Sequence, residues 1–174
     1  MRQIIFDHAA VDAALEQMAD AMFADEIHLI GIHRGGAIVA DKLQQRLEAR
    51  GAKLFRGNLD ISLYRDDLDR IGLNPVVNPS QLPHDFSGRH IWLVDDVLFT
   101  GRTIRAALGE IFDFGRPAAV KLAVLVDRGG HQLPIAADLV GLHYATDSLC
   151  SIKLNSDADW HIEQRELKKE EVAS

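Results

Sequence analysis

Cysteine is almost absent from this sequence, with Cys150 the single one among 174 residues. A lone cysteine excludes a disulfide within the chain and is typical of proteins in a reducing compartment. The sequence also lacks an apolar run long enough for a membrane helix, and its first residues lack the basic and apolar regions of a signal peptide. These absences predict a cytoplasmic protein without a membrane segment.

Positive charge is also in short supply, because 19 Lys and Arg residues face 26 Asp and Glu residues and leave a net charge of −7. No Lys or Arg occurs between Arg2 and Arg34, so the helix predicted over residues 7–23 should have an acidic surface. This balance argues against a generally nucleic-acid-binding surface and leaves room only for a local basic patch.

Several catalytic motifs are missing. No His-Glu-x-x-His and no paired-cysteine spacing predicts a zinc site, and neither a Gly-x-Ser-x-Gly elbow nor a Gly-Lys-Thr phosphate loop is present. Cys150 lies in an apolar segment with no basic neighbour before Lys153, which favours a packed thiol over a nucleophile. Zinc-dependent, nucleophilic-hydrolase and Walker-type phosphate-loop chemistries are therefore poorly supported.

The most informative stretch is residues 90–103. A short apolar run typical of a buried strand is followed by Asp95 and Asp96. A turn containing Thr100 and Gly101 comes next, and apolar residues then recur at helical spacing. Where a strand passes into a helix, backbone N–H groups and the helix dipole favour a phosphate. The carboxylates would repel a phosphate, so they indicate a ligand that also carries hydroxyl groups or a metal ion. A ribose 5-phosphate meets both demands.

A second strand–loop–helix unit begins with the apolar residues 27–32 and continues through His33, Arg34, Gly35 and Gly36. The glycines permit close backbone approach to an anion, and Arg34 supplies positive charge. Alternation of strands and helices predicts a parallel sheet with helices on both faces. Ligands of such sheets bind at the carboxyl ends of the strands, so both turns should serve one ligand with two phosphate groups.

Residues 93–103 resemble the phosphoribosyl-pyrophosphate (PRPP) binding signature of type I phosphoribosyltransferases. Other segments are similar to the bacterial pyrimidine operon regulators that are also uracil phosphoribosyltransferases, namely residues 60–67, 94–107, 115–117 and 122–129. The resemblance implies an α/β fold whose central, mainly parallel sheet is flanked by helices, with a small hood and a flexible loop. It also implies a single phosphoribosyltransferase domain over residues 1–174.

The resemblance implies that uracil and PRPP react to give UMP and diphosphate. Mg²⁺ would be the cofactor, bound by PRPP and water. No protein group would bind it directly, and Asp95 and Asp96 could contact it through PRPP and water. The implied catalytic residues are Asp95, Asp96 and Arg34. The implied 5-phosphate site is Val97, Leu98, Phe99, Thr100, Gly101, Arg102 and Thr103. The implied pyrophosphate site is His33, Arg34, Gly35, Gly36 and Arg65, with His33 where the family has a threonine. The base would meet Asp127, Arg128 and Gly129, largely through backbone groups, together with a hood segment near residues 131–135.

The rest of the chain is less regular. Residues 65–88 have no periodicity and contain Pro75, Pro79 and Pro83, which predicts a long flexible loop that could close over the site. Residues 160–174 are charged and are predicted to be a surface helix or a frayed tail. The remaining strands are predicted within residues 53–64, 119–126, 138–144 and 149–154, the last two being the final strands of the fold.

Two other functions stay open. The chain could be a catalytically weak regulator that senses UMP or PRPP, or a phosphoribosyltransferase for another base. The regulator relatives imply RNA binding through a basic face, but the first helix here is acidic. The downstream positions that are basic in those relatives are Gln132, Ala136 and Leu142 in this chain, which leaves only His131 as a basic residue there. We therefore expect weak or absent RNA binding. The relatives also imply a homo-oligomer, a dimer or larger.

Overall fold

The computed structural model describes residues 2–61, 80–82, 86–147, 149–157 and 159–167. Its centre is a five-stranded sheet in the order β3-β2-β4-β5-β6, and every neighbouring pair is parallel. The strands are β2 (Glu26–Ile32), β3 (Lys53–Leu59), β4 (His90–Leu98), β5 (Ala119–Asp127) and β6 (Leu139–His143). The predicted parallel α/β sheet is therefore confirmed.

Three helices cover the two faces of this sheet, namely α1 (His8–Met22), α2 (Gly35–Ala49) and α3 (Arg102–Phe114). Consecutive strand residues point to opposite faces. On β5, Ala123 and Leu125 accordingly join the core cluster under α1 and α2, whereas Leu122 and Val124 join the cluster under α3. Among the helices in the described ranges, none combines the length and the apolar character that crossing a membrane requires.

The acidic helix α1 packs beside α2 through paired charges. Asp7 caps α1, as its position in the sequence predicts, by accepting a hydrogen bond from the backbone N of Ala10 at 2.9 Å. Arg50, the C-cap residue of α2, donates to Glu16 at 2.6 Å, and Arg46 of α2 donates to Asp12. The acidic surface of the first helix is therefore partly neutralised from within the molecule.

A second sheet is antiparallel and has the order β1-β8-β7, with β1 (Arg2–Phe6), β7 (Cys150–Asn155) and β8 (His161–Glu166). We call this three-stranded sheet the hood. Ile152 and Ile162 belong to the same core cluster as the buried face of α1, so the hood extends that core.

One sequence prediction about the chain ends is wrong, and one strand was missed. Residues 161–166 form the central strand of the hood and not a surface helix or frayed tail, and β1 was not predicted. The physical reason is that β8 contains one fully buried apolar residue, Ile162, and is held mainly by backbone pairing on both edges. Residues 168–174 lie outside the described residues.

The predicted long loop is described only near its end, because residues 62–79 and 83–85 lie outside the described ranges. Strand β3 ends at Leu59, earlier than the alternation predicts. The chain then returns beside β3, where Asn58 and Gln81 exchange backbone hydrogen bonds of 2.7 and 2.9 Å. Phe86 is 4% exposed and packs closely on Gly115. A Cβ added to Gly115 would lie 2.8 Å from the Phe86 ring. The end of this segment is therefore anchored to the sheet and to the end of α3.

Candidate functional site

The two carboxylates lie inside β4 near its carboxyl end, because the strand continues through them to Leu98. Asp95 is only 6% exposed, and its Oδ1 accepts a hydrogen bond from the backbone N of Asp96 at 3.0 Å. Asp96 is half-buried. A buried carboxylate beside a less buried one gives this edge of the sheet fixed negative charge at the predicted ribose position.

The turn between β2 and α2 packs directly on these carboxylates. A Cβ on Gly35 would lie 2.1 Å from Oδ2 of Asp96, and a Cβ on Gly36 would lie 2.4 Å from the carbonyl oxygen of Val94. Only glycine permits such an approach. The structure therefore brings the two predicted anion-binding turns together at one sheet edge.

The turn after β4 has the geometry expected for a phosphate. Gly101 has φ +91° and precedes α3 without a side-chain cap, so the positive end of the helix faces this turn. The hydroxyl oxygen of Thr100 accepts a hydrogen bond from the backbone N of Arg102 at 3.3 Å. Leu98 is 1% exposed in the core below α3, so its side chain does not face the turn.

The turn before α2 carries the other predicted anion contacts. Arg34 is exposed and stands at the N-cap of α2, after a cis peptide bond that joins it to His33. The backbone N of His33 donates to Leu59 at 2.8 Å, which fixes the turn against β3. Arg65, predicted to reach the pyrophosphate, lies outside the described residues.

The side chain of Arg128 is buried and turns away from the end of β5. It is 4% exposed, it donates to the backbone carbonyl of Cys150 at 2.7 Å and to that of Asp147, and its guanidinium lies 4.0 Å from the centre of the Phe99 ring. Burial lowers the pKa of Arg128 from its ordinary value. The guanidinium turns inward because carbonyls at the start of β7 and the ring satisfy it there, so only its backbone remains for a base.

Asp127 ends β5 beside the turn predicted to bind the 5-phosphate, since it is the register partner of Leu98. Its Oδ1 accepts hydrogen bonds from the backbone N of Gly129 and from Nε2 of His131, both at 2.9 Å. The segment at residues 131–135 is not part of the hood. It folds against the turn instead, where the backbone N atoms of Gln132 and Leu133 donate to Thr100.

Sequence reasoning did not assign two features of this region. The ring of Phe99 contacts both the Arg128 guanidinium and Gly130, and a Cβ on Gly130 would be 2.7 Å from the ring. His131 is held by Asp127, a pair whose spacing of four residues was the available sequence signal. The spacing alone does not establish the pair, and the Phe99 contact has no sequence signal, because both contacts depend on how the chain turns after β5.

The donor set fits a cation held jointly with a ligand. Within the part of the chain that the structure describes, no three His, Cys, Asp or Glu side chains are grouped to hold a metal ion alone. The carboxylates of Asp95 and Asp96 are hard oxygen donors of the type that Mg²⁺ accepts, and Asp96 lies against the turn predicted for pyrophosphate. A magnesium ion that arrives with phosphate oxygens is consistent with this arrangement.

Comparison with known proteins gives family and fold. A family model for the phosphoribosyl transferase domain matches residues 3–147. The bifunctional protein PyrR of Pseudomonas fluorescens is 44% identical over 159 residues, covering 91% of this chain and 90% of that protein. The PyrR of Nitrosococcus oceani is 58% identical over 115 residues, covering 66% of this chain and 64% of that protein.

Solved structures share the architecture at low identity. The hypoxanthine phosphoribosyl transferase of Trypanosoma cruzi superposes with a TM-score of 0.70 at 21% identity, covering 97% of this chain and 92% of that chain. A hypoxanthine-guanine phosphoribosyltransferase of Bacillus anthracis gives a TM-score of 0.66 at 16% identity, with 85% of each chain covered. At this identity the likeness concerns the fold alone.

Proposed function

The chain belongs to the phosphoribosyl transferase domain family and to the bifunctional PyrR proteins within it, and we propose that it transfers the phosphoribosyl group of PRPP to uracil, releasing diphosphate and UMP. The observation that carries this proposal is the contact of Gly35 and Gly36 with the carboxylate end of β4. That contact supports the proposal, because two turns predicted to bind anions then flank a pair of carboxylates, which is the pattern that PRPP requires.

Each part of PRPP has a matching group. The turn from Val97 to Thr103, at the start of α3, would bind the 5-phosphate through backbone N–H groups and hydroxyls. Asp95 and Asp96 would accept hydrogen bonds from the ribose hydroxyls. The turn at residues 33–36 would receive the pyrophosphate, with the exposed guanidinium of Arg34 supplying charge.

The chemistry then needs placement and charge more than a nucleophilic side chain. As the bond between C1 and the pyrophosphate oxygen lengthens, positive charge develops on the ribose, and the fixed carboxylates of Asp95 and Asp96 favour it. Arg34 would stabilise the charge on the departing pyrophosphate. Mg²⁺, when bound with PRPP, supplies further neutralisation of that leaving group.

The base would lie at the carboxyl end of β5, beside Asp127 and the backbone of Arg128 and Gly129. The ring of Phe99 adds an apolar surface there, held from behind by the Arg128 guanidinium. A phosphoribosyltransferase for a purine is the competing assignment. A thermal-shift series with UMP, GMP and IMP would separate the two, because the cognate nucleotide should give the largest stabilisation.

The experiment that tests the function is a steady-state measurement of UMP formation from uracil, PRPP and Mg²⁺, beside the double variant Asp95→Asn/Asp96→Asn. We expect turnover by the wild type and its collapse in the variant. Wild-type protein that binds UMP without turnover would instead indicate a nucleotide-sensing regulator built on a transferase fold. Omitting Mg²⁺ from the wild-type assay should lower turnover in the same direction.

Regulation through RNA is the second candidate function, and the charge pattern favours weak binding. Asp12 and Glu16 keep α1 acidic, and the arginines nearest to them, Arg46 and Arg50, are already paired with those carboxylates. A low-salt gel-shift with a pyrimidine-operon leader RNA should therefore show little complex. Tight, sequence-specific binding would reverse this conclusion.

The setting of the protein completes the proposal. We expect it in the cytoplasm, as the single cysteine and the phosphorylated substrate suggest, and we expect a homo-oligomer. The exposed apolar rings of Phe112 and Phe114, at 50% and 59% exposure on α3, support association with another copy. Sedimentation analysis of the full chain should show a species larger than the 19.3 kDa monomer.

A further inference from the structure

His131 and Asp127 form an oriented pair at the end of β5. Nε2 of His131 lies 2.9 Å from Oδ1 of Asp127, and the side chains are 29% and 16% exposed. The intervening Gly129 and Gly130 both have φ +71°, which L side chains rarely adopt, and this double turn folds the imidazole back over the strand end. The backbone N of Gly129 fixes the same carboxylate oxygen at 2.9 Å.

The pair lies where the base and the ribose would meet. Asp127 is the register partner of Leu98, the residue that ends β4 just before the phosphate turn. Gln132 and Leu133 donate backbone hydrogen bonds of 3.0 and 3.2 Å to the carbonyl of Thr100, so the residue before them is fixed against that turn. His131 is therefore held beside the predicted 5-phosphate turn, at the strand end proposed for the base.

The hydrogen bond to the carboxylate selects one form of the imidazole. In neutral His131 the proton resides on Nε2, which faces Asp127, and Nδ1 is left as a hydrogen-bond acceptor. The attacking nitrogen of uracil carries a hydrogen, which must leave when that nitrogen bonds to carbon. Among the groups already assigned, Asp95 and Asp96 are committed to ribose hydroxyls, and Phe99 has no basic atom. Oδ1 of Asp127 already accepts from Gly129 and His131, which leaves Nδ1 of His131 as the acceptor for this proton.

We propose that His131 is the general base of the transfer and that Asp127 is its positioning residue, an inference that rests on the proposed function. The N1–C1 bond forms as the C1–O bond to pyrophosphate breaks. Pyrophosphate leaves with the electron pair of that bond. The N1 proton passes to Nδ1 of His131 and from there to water, so atoms and charge balance.

The charges around the imidazole fit this role better than phosphate binding. Asp127 faces it from β5, Arg102 of α3 donates to the neighbouring Gln132 at 3.4 Å, and Arg128 points away toward Cys150. The Asp127 carboxylate, 2.9 Å from the His131 imidazole, would repel a phosphate bound to the same imidazole. The pair is therefore suited to exchanging a proton.

The test is the pH dependence of UMP formation in wild type, His131→Gln and Asp127→Asn. His131→Gln can still hydrogen-bond Asp127 but cannot take the proton, so kcat should fall about 10²- to 10⁴-fold with little change in the KM for PRPP. The acidic limb of the wild-type kcat profile should vanish, because only neutral imidazole accepts a proton. Asp127→Asn should lower kcat, because the asparagine amide can also favour the wrong tautomer of His131. The acidic limb should remain, because His131 is still present.

Two further measurements separate chemistry from structure. Added imidazole should restore part of the turnover of His131→Gly, which a purely structural role would not allow. His90, exposed at the opposite end of β4, provides the control, and His90→Gln should leave kcat and its pH profile unchanged.

The outcomes are distinct. An active wild type whose kcat and acidic limb survive in His131→Gln would overturn this inference alone. A higher KM for PRPP at unchanged kcat would make His131 a phosphate contact and also overturn it. Wild-type protein that forms no UMP would overturn the proposed function together with this inference.

Discussion

At the scale of single residues, the site depends on how closely backbones approach. Gly36 sits so near β4 that a Cβ would lie 2.8 Å from Cα of Asp95, as well as 2.4 Å from the Val94 carbonyl. Both neighbours are backbone atoms of a central strand and cannot move aside independently. At Gly35 the corresponding neighbour is the Asp96 carboxylate, which is the end of a side chain and can rotate.

We predict that Gly36→Ala lowers the free energy of unfolding by about 1–3 kcal/mol, because the added methyl overpacks a rigid contact. Gly35→Ala should cost less stability but should displace Asp96 and reduce turnover. Chemical denaturation and UMP formation measure the two effects. Gly109→Ala is the matched control, since no atom lies within 4 Å of its Cβ position in α3, and it should gain about 0.5–1 kcal/mol. Equal losses at positions 36 and 109 would contradict the prediction.

Arg128 makes a second prediction at this scale. Arg128→Met removes the donor to two backbone carbonyls, so we expect a loss of about 2–4 kcal/mol in unfolding free energy. The KM for uracil should also rise, because the Phe99 ring loses its support. Arg105→Met, at an exposed position of α3, should change neither quantity. Urea denaturation with the two steady-state constants tests this, and a stable variant with wild-type KM would contradict it.

At the scale of elements, α1 and α2 are joined by a charged seam as well as by apolar packing. The hydrogen bond from Arg50 is the largest cause that lowers the pKa of Glu16 below its ordinary value of 4.5, and the charge of Arg46 acts in the same direction. The ionised carboxylate is therefore favoured in the folded protein. Its contribution is present above the unfolded pKa and is lost as the pH falls through the lower folded value.

We predict that unfolding free energy decreases as the pH falls below about 4.5, and that Glu16→Gln weakens this decrease. The exposed setting keeps the effect small, and added salt should reduce it further. Urea denaturation at several pH values measures it. Asp113→Asn, which changes an exposed carboxylate on α3, should leave the pH dependence as in wild type. A larger change in that control than in Glu16→Gln would refute the assignment.

At the scale of the whole molecule, one sheet is built from local units and the other from distant ends. The parallel sheet and its three helices were predictable, because apolar runs and helical spacing follow each other locally, as at β4 and α3. The hood was predictable only in β7. Its partner β8 is mostly polar, and Arg2 pairs with Arg165, a register that no local pattern encodes.

The same reasoning explains the candidate site. The carboxylates and both turns could be located from residue type and spacing. A strand-to-helix transition is recognisable in sequence as an apolar run, then turn residues, then apolar residues at helical spacing. The inward turn of Arg128 could not, because its partners Cys150 and Asp147 lie in a later segment. The pairing of His131 with Asp127 depends on two positive-φ glycines whose joint effect is visible only in the folded chain.

The hood gives the prediction at molecular scale. Ile162 of β8 is fully buried, so Ile162→Ala should cost about 2–5 kcal/mol and raise hydrogen exchange in both β1 and β7. Ile4→Ala, at a residue of the same sheet that is 58% exposed, should be close to neutral. Exchange that rises only at β8 would argue against cooperative loss of the hood.

The pairing of β1 with β8 also has a consequence for synthesis. The ribosome makes β1 before β8, its hydrogen-bonding partner, and the two strands pair with Arg2 opposite Arg165. The parallel sheet can assemble strand by strand as the chain leaves the ribosome. The backbone groups of β1, in contrast, lack their strand partner until β8 has been synthesised. The nascent chain should therefore acquire its carboxylate and phosphate turns before its hood, and the base position should be the last part of the site to be completed.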